Sequence, residues 1–229
     1  MAELDDNALA KGIRATEKSR APLEGALETD QRVLARITEG IYRQPASALR
    51  ELVSNAYDAD ATEVVILTDA PRFDQITVRD NGLGLSPEVL TQLLKHIGGS
   101  VKRSEKGKEL EVTSSEDVNL SPGGRQLIGK LGIGIFSVAQ FTRHFLIITK
   151  TAGDGFRTVA DITLGKKGES VDKEEEVIFE TGHYRIWRES ATDTRSQGTE
   201  IKLLDLLPRT RGELASDDLW ISGVPASGV

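Results

Sequence analysis

The chain has 229 residues and a net charge of −7, with 38% hydrophobic and 28% charged residues. These proportions are typical of a soluble globular protein with one large domain or two small ones. The overall negative charge does not favour non-specific nucleic-acid binding, and the absence of cysteine excludes disulfides and thiolate metal sites. The acidic N-terminus does not resemble a signal peptide, and no apolar run reaches membrane-spanning length, so we expect a cytoplasmic protein with no membrane partner.

The first 28 residues are polar and mixed in charge, and this predicts a mobile arm or an edge element. Apolar residues at helical spacing then predict a helix over 31–40. Pro45 suits the first turn of a second helix that ends near Asp60. Two β-branched stretches, 63–68 and 75–79, predict a pair of antiparallel strands.

Ser86 and Pro87 predict the N-terminus of the next helix, since serine is a favoured cap and proline a favoured first residue. The predicted buried face of this helix consists of Val89, Leu90, Leu93, Leu94 and Ile97. Residues 101–123 are polar without periodicity, which is typical of a functional loop. A glycine-rich stretch from Gly129 then opens a predicted helix that runs to about Phe141.

The second half of the chain predicts mostly sheet. Strands are predicted at 145–149, 158–164, 177–180, 184–187 and 199–204. Residues 165–176 read as a charged hairpin tip, and a short helix is predicted near Glu213 within a C-terminal extension or linker over 208–229. Helices come first and strands later, which predicts an α+β two-layer sandwich over residues 29–207.

The predicted helix around residues 50–59 has a polar stripe. Glu51, Asn55 and Asp58 recur at i, i+4 and i+7, so they share one side. The opposite side carries Leu49, Leu52, Val53 and Ala56. One proton acceptor and two short oxygen ligands suit a site for hydrated Mg²⁺ and an attacking water. Taken alone, the stripe is more typical of a solvated surface helix.

Two stretches suggest recognition of a base. Asp80-x-Gly82-x-Gly84 follows a predicted strand and is either a tight turn or a place where a flat ligand approaches the backbone. A carboxylate at this place accepts a hydrogen bond from an exocyclic amine, which would select adenine. Gly198-Thr199 begins a late strand, from which the threonine hydroxyl could reach the base or Asp80.

The stretch Gly129-x-x-Gly132-x-Gly134 opens a predicted helix, and its backbone N–H groups suit phosphate oxygens. Close helix packing is the alternative reason for these glycines. The stretch is neither a dinucleotide-binding fingerprint, since no strand directly precedes it, nor a Walker P-loop. Lys130 could neutralise phosphate charge or lie exposed in solvent.

Together, in this order and spacing, the four stretches resemble the four boxes of the GHKL ATPases, the superfamily of DNA gyrase B, Hsp90, histidine kinases and MutL. The resemblance covers residues 28 to 206. The wording Leu-Arg-Glu-Leu-Val-Ser-Asn-Ala-Tyr-Asp-Ala at 49–59 is closest to the Hsp90-like, chaperone-like branch. It implies a Bergerat fold, in which a mixed, mostly antiparallel sheet is backed by helices and a lid, here about 98–128, covers ATP.

By this resemblance Glu51 would be catalytic and activate the attacking water, and Asn55 would ligate Mg²⁺. Asp80 would bind the adenine amine, supported by Gly84 and Thr199, and Gly132 and Gly134 would contact phosphates. The full set of expected ATP-binding residues is Asn55, Asp58, Asp80, Gly82, Gly84, Lys130, Gly132, Ile133, Gly134 and Thr199. The expected cofactors are ATP and Mg²⁺.

The resemblance leaves three activities open. Slow ATP hydrolysis that drives conformational change in a larger assembly is the first, and Glu51 favours it over histidine-kinase phosphoryl transfer, because the kinases generally lack this glutamate. A nucleotide-binding switch with negligible turnover is the third. Full-rate hydrolysis in related branches uses a Lys or Arg from a following domain, so we expect a longer protein or a partner to supply it. ATP-dependent homodimerisation is a further family expectation.

Overall fold

The computed structural model describes residues 2–30, 45–95, 105–129, 134–165 and 178–216. The helices are α1 (Ala2–Ser19), α2 (Pro45–Asp58), α3 (Pro87–Lys95), α4 (Glu105–Glu109), a 3₁₀ helix (Gly134–Gln140) and α5 (Pro208–Leu214). The strands are β1 (Leu23–Asp30), β2 (Val64–Leu67), β3 (Ile76–Asp80), β4 (His144–Lys150), β5 (Phe156–Leu164), β6 (Ile178–Ser190) and β7 (Gly198–Leu204). The helix predicted over 31–40, Ile97 and nearly all of the hairpin tip at 165–176 lie outside the described residues.

The strands form one seven-stranded sheet in the order β1-β6-β5-β4-β7-β3-β2. All six pairings between these described strands are antiparallel. Alternate residues of β4 are buried, and Phe145 and Ile147 face the same core as Leu52 of α2 and Leu90 of α3. The predicted α+β two-layer sandwich is confirmed, with helices packed on one face of the sheet.

The opposite face of the sheet mixes charged and apolar residues, and Ile148, Val159 and Trp187 lie side by side on it. Cross-strand ion pairs connect its strands, among them Arg157 with Glu189 and Arg185 with Glu24. None of the described helices combines the length and the apolar character needed to cross a bilayer.

The starts of α2 and α3 agree with the prediction from proline and cap residues. Pro45 and Pro87 are first residues of these helices, and the Ser86 hydroxyl accepts a hydrogen bond from the Val89 amide at 3.3 Å. On the predicted inner face of α3, Val89, Leu90 and Leu94 are buried and Leu93 is partly buried.

Two predicted strands, 177–180 and 184–187, are a single strand in the structure. β6 continues through Gly182, whose φ is +154°. A Cβ at Gly182 would lie 2.2 Å from the Thr163 carbonyl oxygen of β5, so glycine allows the two strands to approach here. Gly182 lies between the two predicted strands, and the prediction of two separate strands is wrong.

Residues 2–30 form α1 and β1, and both are built into the fold. β1 pairs with β6 at one edge of the sheet. α1 lies across α3, where Arg14 forms a bidentate ion pair with Glu88 and buried Asp6 accepts a hydrogen bond from Gln92 at 2.5 Å. β1 also runs beyond residue 28, where the sequence reading placed a division.

Arg188 of β6 is a second attachment point for α1. Its guanidinium forms ion pairs with Glu17 of α1 and Asp154, and its side chain is only 2% exposed. Its backbone amide donates to the Thr16 hydroxyl at 3.0 Å. Removing one partner of such a buried pair typically costs about 3 to 5 kcal/mol, so this contact fixes α1 against the sheet.

Candidate functional site

Asp80 is the last residue of β3, and it lies at the end of the sheet where the neighbouring strand β7 begins. Its Oδ1 accepts hydrogen bonds from the amides of Gly82 at 2.8 Å and Thr199 at 3.3 Å. Its Oδ2 accepts none from the part of the chain that the structure describes. Burial raises the pKa of Asp80 above its ordinary value of 3.8, and the two amide hydrogen bonds partly offset that rise. One carboxylate oxygen is therefore fixed, and the other is available to a ligand.

The two glycines after Asp80 are explained first by the packing of the protein itself. A Cβ at Gly82 would lie 2.7 Å from the Ala59 carbonyl oxygen at the end of α2. Gly84 has a φ of +72°, and its Cβ would lie 2.1 Å from the Lys150 carbonyl oxygen. We predicted that these glycines admit a flat ligand, and the structure gives them a packing role, while their contact with a ligand stays a prediction.

Replacing Gly84 with alanine should destabilise the protein by about 2 to 4 kcal/mol, because the backbone must move away from Lys150 and adopt a strained φ. Gly153→Ala is the matched control: Gly153 has a φ of +81°, but nothing lies within 4 Å of its Cβ position. Chemical denaturation should show a loss of only about 1 kcal/mol for the control. Equal losses for the two variants would contradict the packing role.

Thr149 is a site residue that the sequence reading missed. Its hydroxyl accepts a hydrogen bond from the Leu85 amide at 2.7 Å and lies 3.2 Å from the hydroxyl of Thr199. The side chain is 2% exposed and follows Phe145 and Ile147 on the inner face of β4. A single hydroxyl on an otherwise apolar strand face was the available signal, since a buried hydroxyl needs a polar partner.

The C-terminal end of α2 lies beside this corner, where the Ala59 carbonyl oxygen accepts a hydrogen bond from the Leu83 amide, and the contact of the polar stripe with a ligand there stays a prediction. Leu52 and Ala56 are buried on the other side of the helix. Val53 was predicted to lie on the same apolar face, but it is 37% exposed and does not belong to it. Val53 lies further round the helix, on the outer side that it shares with Tyr57 at i+4. Glu51 is partly exposed, and its carboxylate has no hydrogen-bond or ion-pair partner among the described residues.

Asp58, the last residue of α2, is 2% exposed. Its Oδ1 accepts a hydrogen bond from the Ile128 amide at 2.9 Å and its Oδ2 one from the Gly129 amide at 3.0 Å. The carboxylate therefore holds the segment that leads into the third motif. This contact gives Asp58 a structural role beside the ATP-binding role that we predicted.

The third motif is described only in part. Gly129 is buried next to Asp58, and Gly134 begins the 3₁₀ helix, which packs against α2. The helix predicted here is thus of the tighter 3₁₀ type. Lys130, Gly132 and Ile133 lie outside the described residues, and their contacts with phosphate stay predictions.

The four stretches meet at one end of the sheet. The Leu83 amide donates to the Ala59 carbonyl oxygen at 2.9 Å, which joins the turn after β3 to the end of α2. Asp80 joins the same turn to β7, and Asp58 joins the third motif to α2. Stretches separated by up to 119 residues in sequence thus meet at one corner.

This arrangement agrees with the comparison to known families. Residues 42–197 match the sequence model of a family described as histidine kinase-, DNA gyrase B-, and HSP90-like ATPase. The chain belongs to this ATPase family. The match contains Glu51, Asn55 and Asp80 and ends two residues before Thr199. The membership predicted from the four motifs is confirmed.

Proteins with sequences similar to this chain carry the names of different functions. A candidate type II restriction enzyme, HgiDII of Herpetosiphon aurantiacus, is 32% identical over 68% of this chain and 24% of its own length. The chaperone protein HtpG of Streptomyces coelicolor is 30% identical over 54% of this chain and 21% of its own length. The DNA mismatch repair protein MutL of Lacticaseibacillus casei is 42% identical over 24% of this chain and 9% of its own length. The chain spans about a quarter or less of each relative.

Proposed function

We propose that this domain binds ATP with Mg²⁺ at the corner between α2, the turn after β3 and the start of β7, and hydrolyses it slowly. The observation that carries the proposal is Asp80, a partly buried carboxylate with one oxygen held by the Gly82 and Thr199 amides. Membership of an ATPase family supports a nucleotide as the ligand. Hydrolysis, its slow rate and the Mg²⁺ requirement are the parts that experiment must test.

The adenine would be recognised at Asp80. The exocyclic amine of adenine would donate a hydrogen bond to Oδ2 of Asp80, which has no partner in the described part of the chain. Hydrogen bonds to charged acceptors contribute about 1.5 to 3 kcal/mol, enough to select an amine over a carbonyl. The hydroxyls of Thr199 and Thr149, which lie 3.2 Å apart, would support the base.

Glu51 is the residue that we propose as the general base. It lies on the same stripe of α2 as Asn55 and Asp58, and its carboxylate has no protein partner in the described regions. A carboxylate without a cation beside it is able to accept a proton from water. Phosphoryl transfer depends mainly on positioning and charge neutralisation, so one such base completes the requirement.

Asn55 is the residue we propose as the protein ligand of Mg²⁺. Among the described residues no group of three or more His, Asp or Glu could hold a metal. The single side-chain oxygen of Asn55 fits Mg²⁺, which binds proteins through one or two oxygens and completes its shell with water and phosphate. When bound, the ion neutralises phosphate charge.

We further propose that nucleotide binding drives conformational change in a larger protein or assembly, as a chaperone-like ATPase of the cytoplasm. Support comes from HtpG, a chaperone that shares 30% identity with this chain. A Lys or Arg from another domain or partner protein would complete the site, and ATP would favour a homodimer. Nucleic acid is not proposed as a partner of this domain, because its net charge is −7.

The test of this function is ATP binding and phosphate release by the chain with and without Mg²⁺. We expect saturable Mg²⁺-dependent binding and phosphate release well below the median enzyme rate of about 10 per second. Binding without phosphate release would contradict hydrolysis and favour a switch. Transfer of labelled phosphate to a protein histidine would favour a kinase.

A further inference from the structure

Residues 119–129 form a compact hairpin, here called the strap, that ends at the third motif. Leu120 and Gln126 form a β-bridge, and the Leu127 amide donates to the Asn119 carbonyl oxygen at 2.9 Å. The turn is closed by hydrogen bonds between Ser121 and Arg125, at 2.8 Å from the Ser121 amide to the Arg125 carbonyl oxygen. This hairpin explains the Ser-Pro-Gly-Gly-Arg sequence, to which the proposed ATP chemistry gives no role.

Asp60, just after α2, holds the tip of the strap. Its Oδ1 accepts a hydrogen bond from the Ser121 hydroxyl at 2.5 Å and its Oδ2 one from the Gly123 amide at 2.7 Å. The Ser121 hydroxyl is fully buried and also accepts from the Arg125 amide at 2.9 Å. A Cβ at Gly123 would lie 2.7 Å from Asp60 Cγ, so any other residue here would displace the carboxylate. The tip of the strap is shaped to fit the carboxylate.

Arg125 forms a second attachment at the same helix end. Its guanidinium donates to the Ala61 carbonyl oxygen at 2.7 Å and lies 5.1 Å from the centre of the Tyr57 ring. Its Nε lies 3.8 Å from Asp60 Oδ1. A cation at a helix C-terminus is favourable because the last carbonyl groups carry partial negative charge. Asp60 and Arg125 therefore both attach the strap to the end of α2.

Asp60 has a left-handed backbone conformation in which glycine is the usual residue. The Ala61 amide donates to Ala56 O at 3.0 Å and the Asp60 amide to Tyr57 O at 3.1 Å, which places Asp60 at the left-handed position of a Schellman motif. Its φ is +60°. Glycine adopts this conformation without strain and is the usual residue there. A strained aspartate indicates that the carboxylate contacts outweigh the backbone strain.

We propose that Asp60 is a positioning residue that fastens the strap to α2 and thereby slows the release of ATP. The strap continues directly into Ile128 and Gly129, which Asp58 holds at the start of the third motif. Fixing the strap at its tip and at its end keeps Gly129, the first residue of that motif, against the helix that carries Glu51 and Asn55. The inference rests on the proposed nucleotide site. It adds that the attachment of the strap by Asp60 controls how fast ATP dissociates from that site.

Asp60→Gly tests the inference, because it removes both carboxylate contacts while relieving the backbone. We expect a modestly lower melting temperature, because the carboxylate contacts outweigh the strain that glycine relieves, together with amide exchange at Ile128 and Gly129 that is about tenfold to hundredfold faster. These two amides bond to Asp58, so a merely local role of Asp60 would not change them. ATP should dissociate about tenfold faster than from the wild type, measured by stopped flow with a fluorescent ATP analogue.

Asp69→Gly is the matched control. Asp69 also has a positive φ, +55°, and within the described ranges its carboxylate has Arg72, in the turn after β2, as its one ion-pair partner. It should change neither the exchange of the strap nor ATP dissociation. Asp60→Asn, which keeps the backbone preference and one acceptor oxygen, should give an intermediate effect.

Two results separate this inference from the proposed function. Wild-type exchange at Ile128 and Gly129 in Asp60→Gly, together with wild-type ATP dissociation, would overturn the fastening role. Absence of ATP binding by the wild type would overturn the proposed function and the effect on residence time. The exchange comparison without nucleotide would then still support or overturn the attachment of the strap by Asp60.

Discussion

Replacement of Glu51 by glutamine is expected to lower the rate of ATP hydrolysis by about 100-fold or more while ATP affinity stays within about threefold of wild type. Glutamine keeps the size and position of the side chain on α2 but does not accept a proton at neutral pH. The wild-type carboxylate has no hydrogen-bond partner among the described residues, so its loss leaves no protein group unpaired. Binding and turnover should therefore separate.

The measurement is steady-state phosphate release, paired with ATP titration of each variant. Glu63→Gln serves as the control, since Glu63 is an exposed acid just beyond α2. It should match the wild type in both assays. Unchanged turnover in Glu51→Gln would remove this residue as the base, and an equal loss of binding and turnover would assign it to ground-state binding instead.

Replacement of Asp80 by asparagine is expected to weaken ATP binding by about 100-fold or more. The amide oxygen of asparagine still accepts hydrogen bonds from the Gly82 and Thr199 amides. The new –NH₂ group then points a donor at the adenine amine, so a charge-assisted hydrogen bond is replaced by two opposed donors. Titration calorimetry measures the effect, and Asp74→Asn, at an exposed aspartate before β3, is the control.

The same variant should be at least as stable as the wild type at neutral pH, because burial raises the pKa of Asp80. The fold thus favours the protonated carboxyl group, and this contribution is full below pH 3.8 and lost as pH rises through the folded-state pKa. The unfolding free energy of wild type relative to Asp80→Asn should therefore fall over that acid range. ATP affinity of the wild type should rise over the same range, since the amine requires an ionised acceptor.

Stability and binding moving in opposite directions would distinguish a ligand-binding aspartate from a structural one. A structural Asp80 would lose stability as asparagine and would show no selective loss of ATP. Unchanged ATP affinity in this variant would contradict the adenine assignment directly.

Local sequence signals predicted much of the fold. Pro45, Ser86 and Pro87 act through neighbouring backbone, and the structure places their helices where the sequence did. The apolar alternation of β4 likewise predicted a strand with one buried face. The two-strand reading of β6 was wrong because Gly182 is required by a contact with Thr163 on another strand, which no local pattern reveals.

The same distinction applies to the candidate site. Glu51, Asn55 and Asp80 belong to short motifs, and the sequence alone could single them out. Thr149 depends on contacts with Leu85 and Thr199, about 50 or more residues away, and it was missed. Asp60 and Ser121 are 61 residues apart in sequence, so their hydrogen bond could be found only in the folded chain.

Titration of the wild-type chain with ATP and with ITP in the presence of Mg²⁺ tests the central claim most directly. ITP differs at the base by a carbonyl oxygen in place of the exocyclic amine, and it would present an acceptor to the carboxylate of Asp80. We predict one ATP bound per chain and ITP weaker by at least about tenfold. Equal affinities for the two nucleotides, or no saturable binding of ATP, would contradict the proposed site.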